Sequence, residues 1–273
     1  MNLPEDFVFS QGNLQDYVDC PRRFELKYLR RQRWPAAEVD DMAAFERHLE
    51  QGDQFHRLVQ QSLLGLPEET LRSRINDDEV ARWYDAWLAN GLAEVPAQRW
   101  PELTLTARLG KWLLLAKMDL VAIEPGGAAL VLDWKTGRHQ PRPERQAQRL
   151  QTRVYRYVLA EAGARLNGGE AIDQTRIEMR YWYAQHEGDV LRFPYDEDQY
   201  KADGRFLRDL AREIDSCEVF PLTEEVRRCR FCVYRSLCDR GEQPGSLAEW
   251  EGDEDMALPT DALDIDALDE IAF

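Results

Sequence analysis

Apolar and aromatic positions recur at helical spacing between Asn13 and about Arg33: Leu14, Tyr17, Val18, Phe24, Tyr28 and Leu29. Pro21 breaks or restarts that helix. A second helical pattern runs from about Met42 to Leu64, and a third from about Asp77 to Asn90, ending at Gly91. The period then changes. "LTLTARL", "KWLLLAKMDLVAIE" and "AALVLDWKT" read as strands, with "EPGG" as the turn between the last two. A helical pattern returns over Pro143 to Ala162 and is closed by "NGG". "RIEMRYWYA" and "GDVLRFPY" predict a further hairpin, and Glu197 to about Ser216 a further helix. No internal repeat is visible. This order predicts an α/β domain with one sheet covered on both faces.

At 273 residues the chain is long enough to bury a sizeable core as one large domain or two small ones. No apolar run reaches the eighteen or so residues of a membrane span, so no membrane partner is expected. "MNLPEDFVFSQ" lacks the basic start and apolar block of a secretory signal. Five cysteines, an odd number, argue for a reducing compartment, and the expected location is the cytoplasm. The formal charge of −16 is unevenly spread: residues 242–273 hold eleven acids and no Lys or Arg, which leaves −5 for the rest. Basic residues bunch in "CPRRFELKYLRRQRW", "RHQPRPERQAQR" and "RRCR". Such clusters are solvated helix faces or, beside a catalytic site, a track for a phosphate backbone.

"LLLAKMDLVAIEPGGAALVLDWKTGR" sets Asp119, Asp133 and Lys135 among apolar residues, where uncompensated charge is costly. If the hairpin is centred on Gly126, residue i faces residue 252 − i, and Asp119 stands opposite Asp133. Opposed Cβ atoms lie about 4.5–5.5 Å apart, where like charges repel. Lys135 shares the face of Asp133. Two carboxylates converging in this way suit a hard divalent cation, and a lysine beside them can orient or help deprotonate a water. The competing structural reading is an Asp–Lys surface pair on an edge strand.

Asp119 followed by Asp133-Trp134-Lys135 resembles the split acidic motif of the PD-(D/E)xK nuclease superfamily. "GDQFHRLV" places His56 four residues after Gly52, which resembles the G-x-x-x-H motif of the RecB-like branch. "QTRVY" places Gln151 and Tyr155 one helical turn apart, similar to that branch's Q-x-x-x-Y motif. The resemblance implies a site in which His56, Asp119, Asp133 and the main-chain carbonyl of Trp134 hold Mg²⁺ or Mn²⁺. It also implies that Lys135 positions or activates the attacking water, that Gln151 supports Lys135 or the water, and that Tyr155 supports the nucleic-acid backbone. An imidazole in the donor set favours Mn²⁺ in vitro. The chain departs from the pattern at "LLAKMDLV", where relatives often carry a glycine. Lys117 there shares the face of Asp119 and either contacts DNA or weakens the site.

"CRFCVYRSLC" spaces Cys229, Cys232 and Cys238 as C-x₂-C-x₅-C, and Cys20 stands far upstream. One early cysteine and a late triplet look like the iron–sulfur staple of AddB-type nucleases and their CRISPR-associated relatives. The resemblance implies four thiolate ligands to a [4Fe–4S] cluster. Zinc is the competing occupant, though zinc modules usually offer two close pairs of cysteines. Cys217 reads as an ordinary buried thiol.

The fold expected from this resemblance is α/β, a restriction-endonuclease-like core with a central mixed sheet flanked by helices. Residues 1–240 would form the nuclease domain, with a helical insertion at 34–98 and a cysteine-ligated C-terminal lobe at 217–240 closing on Cys20. Residues 241–273 would be a disordered acidic tail. The function implied is metal-dependent hydrolysis of DNA, as an exonuclease on single-stranded ends in repair, recombination or CRISPR-type processing. The alternatives are a catalytically weak iron–sulfur module that binds DNA or a partner, and a structural zinc protein. "GxxxxGK[ST]" is absent, so helicase activity would come from a partner chain. Asp269 to Phe273 resembles the acidic tip of bacterial single-strand-binding proteins, which implies a tip-recognising partner. A tail folded over the basic DNA path and a merely solvating tail are the other readings.

Overall fold

A computed structural model describes residues 3–32, 42–138, 140–186, 188–241 and 245–246. The expected acidic tail thus lies outside the described residues apart from Gly241, Gly245 and Ser246, and so does the start of the expected helical insertion. Strand β1 (Val8–Ser10) leads directly into α1 (Gln11–Asp19). The Asn13 backbone N–H donates to the Ser10 hydroxyl at 3.3 Å, and the Ser10 N–H donates to the Asn13 side chain at 2.9 Å. This reciprocal cap fixes where the helix begins. Pro21, at the one helical position where its missing N–H costs nothing, opens α2 (Pro21–Phe24), which continues as a π-helical turn over Glu25–Leu29. Helices α3 (Met42–Leu63), α4 (Glu68–Arg72) and α5 (Asp78–Ala86) follow, then β2 (Gln98–Leu109), β3 (Trp112–Ile123) and β4 (Ala129–Lys135). Next come α6 (Pro143–Gln148) and α7 (Leu150–Ala162), the hairpin of β5 (Ile177–Tyr183) and β6 (Asp189–Pro194), and finally α8 (Glu197–Ser216) and α9 (Val226–Cys229).

The sheet is mixed. β1 pairs with β3 and β4 with β5 in parallel, whereas β2 with β3, β3 with β4 and β5 with β6 pair antiparallel. The β3–β4 pairs Leu120–Leu132 to Ile123–Ala129 follow the 252 − i register expected from the turn at Gly126. β2 pairs along the whole of one edge of β3, so β1 and β4 must share the other. β1 takes Leu113–Leu115 and β4 takes Leu120–Ile123, which leaves 116–119 with no strand on that side. Asp119 sits at the end of this gap.

Helices cover both faces, as the alternation of elements predicts. α1, α7 and α8 pack Leu14, Val154, Val158 and Leu207 on one side of the sheet. α3, α4 and α5 pack Phe55, Leu71, Val80 and Trp83 on the other, over Leu120, Leu132, Trp134 and Trp182. The inside–outside alternation changes phase within β3. Leu114, Ala116 and Met118 face the α7 side, but so do Val121 and Ile123, while Leu120 and Ala122 face α3. The phase slip falls at Asp119, the kind of local irregularity that re-aims a side chain next to an active site. No helix among the described residues is long and apolar enough to cross a membrane.

A charged network ties the N-terminal helices together. Asp16 pairs with Arg23, whose Nε lies 2.8 Å from Oδ1, and accepts from Lys27 Nζ at 2.9 Å and the Tyr28 hydroxyl at 2.7 Å. Burial works to raise its pKa, but Arg23 and Lys27 hold the carboxyl below its ordinary range. Removing one partner of such a largely buried set leaves the others uncompensated, so Asp16→Ala should cost about 3 kcal/mol at pH 7. The sign with pH follows from the lowered pKa. The carboxylate's contribution is complete above the unfolded value near 3.8 and is lost as pH falls through the folded one. Denaturant titrations should therefore show a gap between wild type and variant that is constant from about pH 5 to 8 and closes below about pH 3.8. A gap that widened in acid would contradict this network.

Candidate active site

α3 crosses the C-terminal end of β4 at Gly52, where an added Cβ would lie 3.0 Å from Thr136 Oγ1. The bare backbone therefore lets the helix approach the strand end, and His56 follows one turn later on the same face. Phe55 anchors that turn by stacking on Trp182, with ring centroids 5.6 Å apart. The His56 ring lies 5.7 Å from the Trp134 indole. Its Nδ1 stands 3.7 Å from Asp119 Oδ1. Burial, with the positive charges of Lys135 and Lys117, pushes the imidazole pKa down to about 3. His56 is thus neutral at physiological pH and keeps a lone pair for a metal.

Asp119 Oδ2 accepts from the Trp134 backbone N–H at 3.1 Å, which bridges the gap between β3 and β4. Burial and the neighbouring charge of Asp133 raise its pKa well above the ordinary carboxylate value. Asp133, only 2 % exposed, is also raised by burial, and Lys135 and Gln151 act against that. Lys135 Nζ lies 2.8 Å from Asp133 Oδ2 and 5.6 Å from the Tyr181 ring centroid. Gln151 Nε2 donates to Asp133 Oδ1 at 2.7 Å, and Tyr155 adjoins Gln151 one turn along α7. Burial, then Asp133, pushes the Tyr155 hydroxyl pKa up, so the phenol stays protonated. Elements α3, β3, β4 and α7 thus bring His56 to Asp119, Asp119 to the Trp134 backbone, Lys135 and Gln151 to Asp133, and Tyr155 to Gln151. The Asp133 carboxylate is not part of the group of mutually close metal-ligating atoms found among the described residues. Asp119 meets the α3 side and Asp133 the α7 side, an arrangement that the phase slip at Asp119 makes possible.

Glu102 lies outside every motif of the sequence. His56, Glu102 and Asp119 each offer an atom within 4.8 Å of the others, the group of metal-ligating side chains found among the described residues. Glu102 has a φ of 51°, a left-handed conformation that costs a non-glycine residue roughly 1–2 kcal/mol. Such strain persists only where the surroundings enforce it.

At the far end of α1, Cys20 approaches the C-terminal segment. The Arg22 N–H donates to the Pro221 carbonyl at 3.1 Å, Asp19 pairs with Arg228, and the Tyr234 hydroxyl donates to the Gln32 carbonyl at 3.0 Å. Burial raises the pKa of the Cys229, Cys232 and Cys238 thiols, Cys232 to about 11. Cys20 adds to the rise in all three, so the four sulfurs lie within electrostatic reach of one another. Cys217 stands apart and, at the C-terminal end of α8, is half-buried rather than buried as expected: its thiol donates to the Val219 carbonyl at 3.1 Å and interacts with Tyr17.

No curated protein sequence matches the chain. Among solved structures, the fold is similar to a crystal structure from Eubacterium rectale described as a "Putative exonuclease", with a TM-score of 0.53 and 14% identity over 90% of this chain and 92% of that one. A crystal structure of SSO0001 matches with a TM-score of 0.42 and 11% identity, over 88% of this chain and 90% of that one. The family model of the PD-(D/E)XK nuclease superfamily matches residues 8–239, which span the sheet, the acidic hairpin and the cysteine triplet alike. With that match, and with a central mixed sheet flanked by helices, the chain belongs to the PD-(D/E)XK nuclease superfamily.

Proposed function

We propose that the protein is a divalent-metal-dependent deoxyribonuclease that hydrolyses phosphodiester bonds as an exonuclease on single-stranded DNA. We place it in the RecB-like, iron–sulfur branch of its superfamily. The observation that carries this reading is the convergence of His56, Asp119, Asp133 and Lys135 where β3 and β4 part company. The donor set fits a hard cation. The imidazole is neutral, and the raised pKa values of Asp119 and Asp133 mark a buried anionic site short of positive charge. His56, Asp119, Asp133 and the Trp134 carbonyl would hold Mg²⁺ or Mn²⁺, which supplies Lewis acidity at the phosphoryl oxygen and lowers the pKa of a water.

The side chains do the rest. Lys135, steered by Asp133 and Tyr181, donates hydrogen bonds to the attacking water and offsets charge building on the phosphate. Gln151 keeps Asp133 Oδ1 occupied and so fixes the carboxylate's orientation. Tyr155, protonated beside Gln151, is a hydrogen-bond donor toward the DNA backbone.

Cys20, Cys229, Cys232 and Cys238 would ligate a [4Fe–4S] cluster whose role is structural. The site fits an electron-poor centre, since burial and mutual proximity raise the pKa values of Cys229, Cys232 and Cys238 while Arg22, Arg23 and Arg240 supply offsetting charge. In this reading residues 1–240 form one nuclease domain, residues 217–240 close on Cys20, and a partner such as a helicase opens the ends.

Anaerobically purified protein should degrade end-labelled linear single-stranded DNA with Mn²⁺, not with EDTA, and should spare a covalently closed single-stranded circle. Equal cleavage of circle and linear strand would replace the exonuclease reading by an endonuclease. Inert DNA in Mn²⁺ and Mg²⁺ alike would leave the weak binding module.

A further inference from the structure

Three acids stand in one row across three neighbouring strands. Paired residues of β2 and β3 have numbers that sum to 221 throughout, and the one position missing from that ladder is Glu102 opposite Asp119. On the other edge of β3 the pairs with β4 sum to 252, and Asp119 and Asp133 stand just beyond the last of them. The row Glu102, Asp119, Asp133 therefore coincides with a break on both edges of β3. Directly opposed like charges destabilise a strand pair, and something must offset them. Lys117 does so on the β2 side: its Nζ lies 3.0 Å from Glu102 Oε2. Lys117 is 43% exposed and Glu102 20% exposed, so the pair lies at the mouth of the site.

We propose that Glu102 is a further carboxylate ligand of the cation site, and that Lys117 is the latch that holds it when no cation is bound. The geometry favours exchange. Glu102 already places an oxygen within 4.8 Å of the ligating atoms of His56 and Asp119, while its other tie is to a long, half-exposed side chain that solvent can stabilise once released. On cation binding the Glu102 carboxylate leaves the ammonium for the metal. Lys117 is then free to meet a phosphodiester at the entrance, where a basic side chain is useful to a nuclease. Cation loading and readiness for DNA become one event. The lysine that the sequence marks as a departure from the family pattern is, on this view, a positioning residue rather than a flaw.

The inference rests on the metal-site reading above, and a DNA-free titration separates the two. Free Mn²⁺ is measured by electron paramagnetic resonance as it is added to full-length wild type, Glu102→Gln, Lys117→Ala, the double variant and Asp119→Asn, with thermal melts as the check on folding. Loss of one ligand should weaken Mn²⁺ binding by at least about tenfold in Glu102→Gln. Lys117→Ala should tighten it at least about fivefold, the effect of removing one unit charge a few ångströms away. That gain should largely vanish in the double variant, because a latch has nothing to release once its carboxylate is gone. Unchanged affinity in Glu102→Gln, or a Lys117→Ala gain that persists undiminished in the double variant, overturns the latch. If Asp119→Asn also binds Mn²⁺ like wild type, the fault lies with the metal-site reading itself.

Discussion

Lys135→Ala should bind Mn²⁺ and DNA yet cleave about a hundred- to ten-thousandfold more slowly, the range expected for loss of a group acting on the proton or charge of the reaction. Lys135 is placed by two contacts that leave its side chain partly exposed: the 2.8 Å ion pair with Asp133 and the Tyr181 ring. Alanine removes the ammonium without emptying the donor set of His56 and Asp119. Asp119→Ala, Asp133→Ala and His56→Ala should instead lose metal-dependent cleavage together with metal affinity, and should keep the fold. The two aspartate variants shed like-charge repulsion as well as a ligand. Single-turnover rates at saturating Mn²⁺, beside the binding titrations, separate the two kinds of loss. A near-wild-type rate in Lys135→Ala would mean that the hairpin is not the catalytic centre.

Why could this hairpin be read from the chain while its third acid could not? The β3–β4 register follows from the glycine turn at Gly126 and from apolar residues on both faces, since a one-residue slip would exchange every side chain between faces. Its neighbour was equally specified. Leu109 pairs with Trp112 across Gly110 and Lys111, and Gly110 has the positive φ of 67° that a glycine-first hairpin turn needs. Extending that register places Glu102 opposite Asp119. Pro101 hides it, because a proline reads as the end of a strand, yet β2 runs on to Gln98 along the edge of the sheet, where a missing N–H is tolerated.

Other features were legible only in outline. The helical pattern over 143–162 contains a break at Arg149, whose ψ of 142° is extended. The Gln146 carbonyl just before it accepts from the Thr152 hydroxyl at 2.6 Å, and α7 starts afresh at an angle that brings Gln151 to Asp133. Period alone cannot report such a restart, since the apolar stripe survives it. The phase slip at Asp119 is likewise silent in a run such as "WLLLAKMDLVAI", where apolar residues fill both faces. The meeting of His56 with the acidic hairpin came from motif order; the packing of Gly52 on Thr136 gives it a physical cause.

Cys20→Ala should bleach the protein and destabilise it much as Cys232→Ala does, although roughly two hundred residues separate the two. A centre whose ligands come from both ends of a domain contributes directly to folding free energy, because the unfolded chain does not gather them. The contacts around it are modest on their own: the Arg22–Pro221 backbone bond, the Asp19–Arg228 pair and the stacking of Phe24 on Phe220, with centroids 6.0 Å apart. Closing so long a loop with a cross-link stabilises by about 2–5 kcal/mol in the chain-entropy picture. For a domain of this size that corresponds to a melting temperature lower by roughly 5–15 °C in either variant. Cys217→Ala serves as the matched control: its thiol bonds to the Val219 carbonyl and lies outside the group of four, so colour and melting should change little. Absorbance near ~400 nm, iron and sulfide content and melting curves on anaerobic preparations read all three variants. A brown Cys20→Ala beside a bleached Cys217→Ala would overturn the ligand assignment. A colourless wild type carrying zinc would keep the four-thiol site and overturn the cluster.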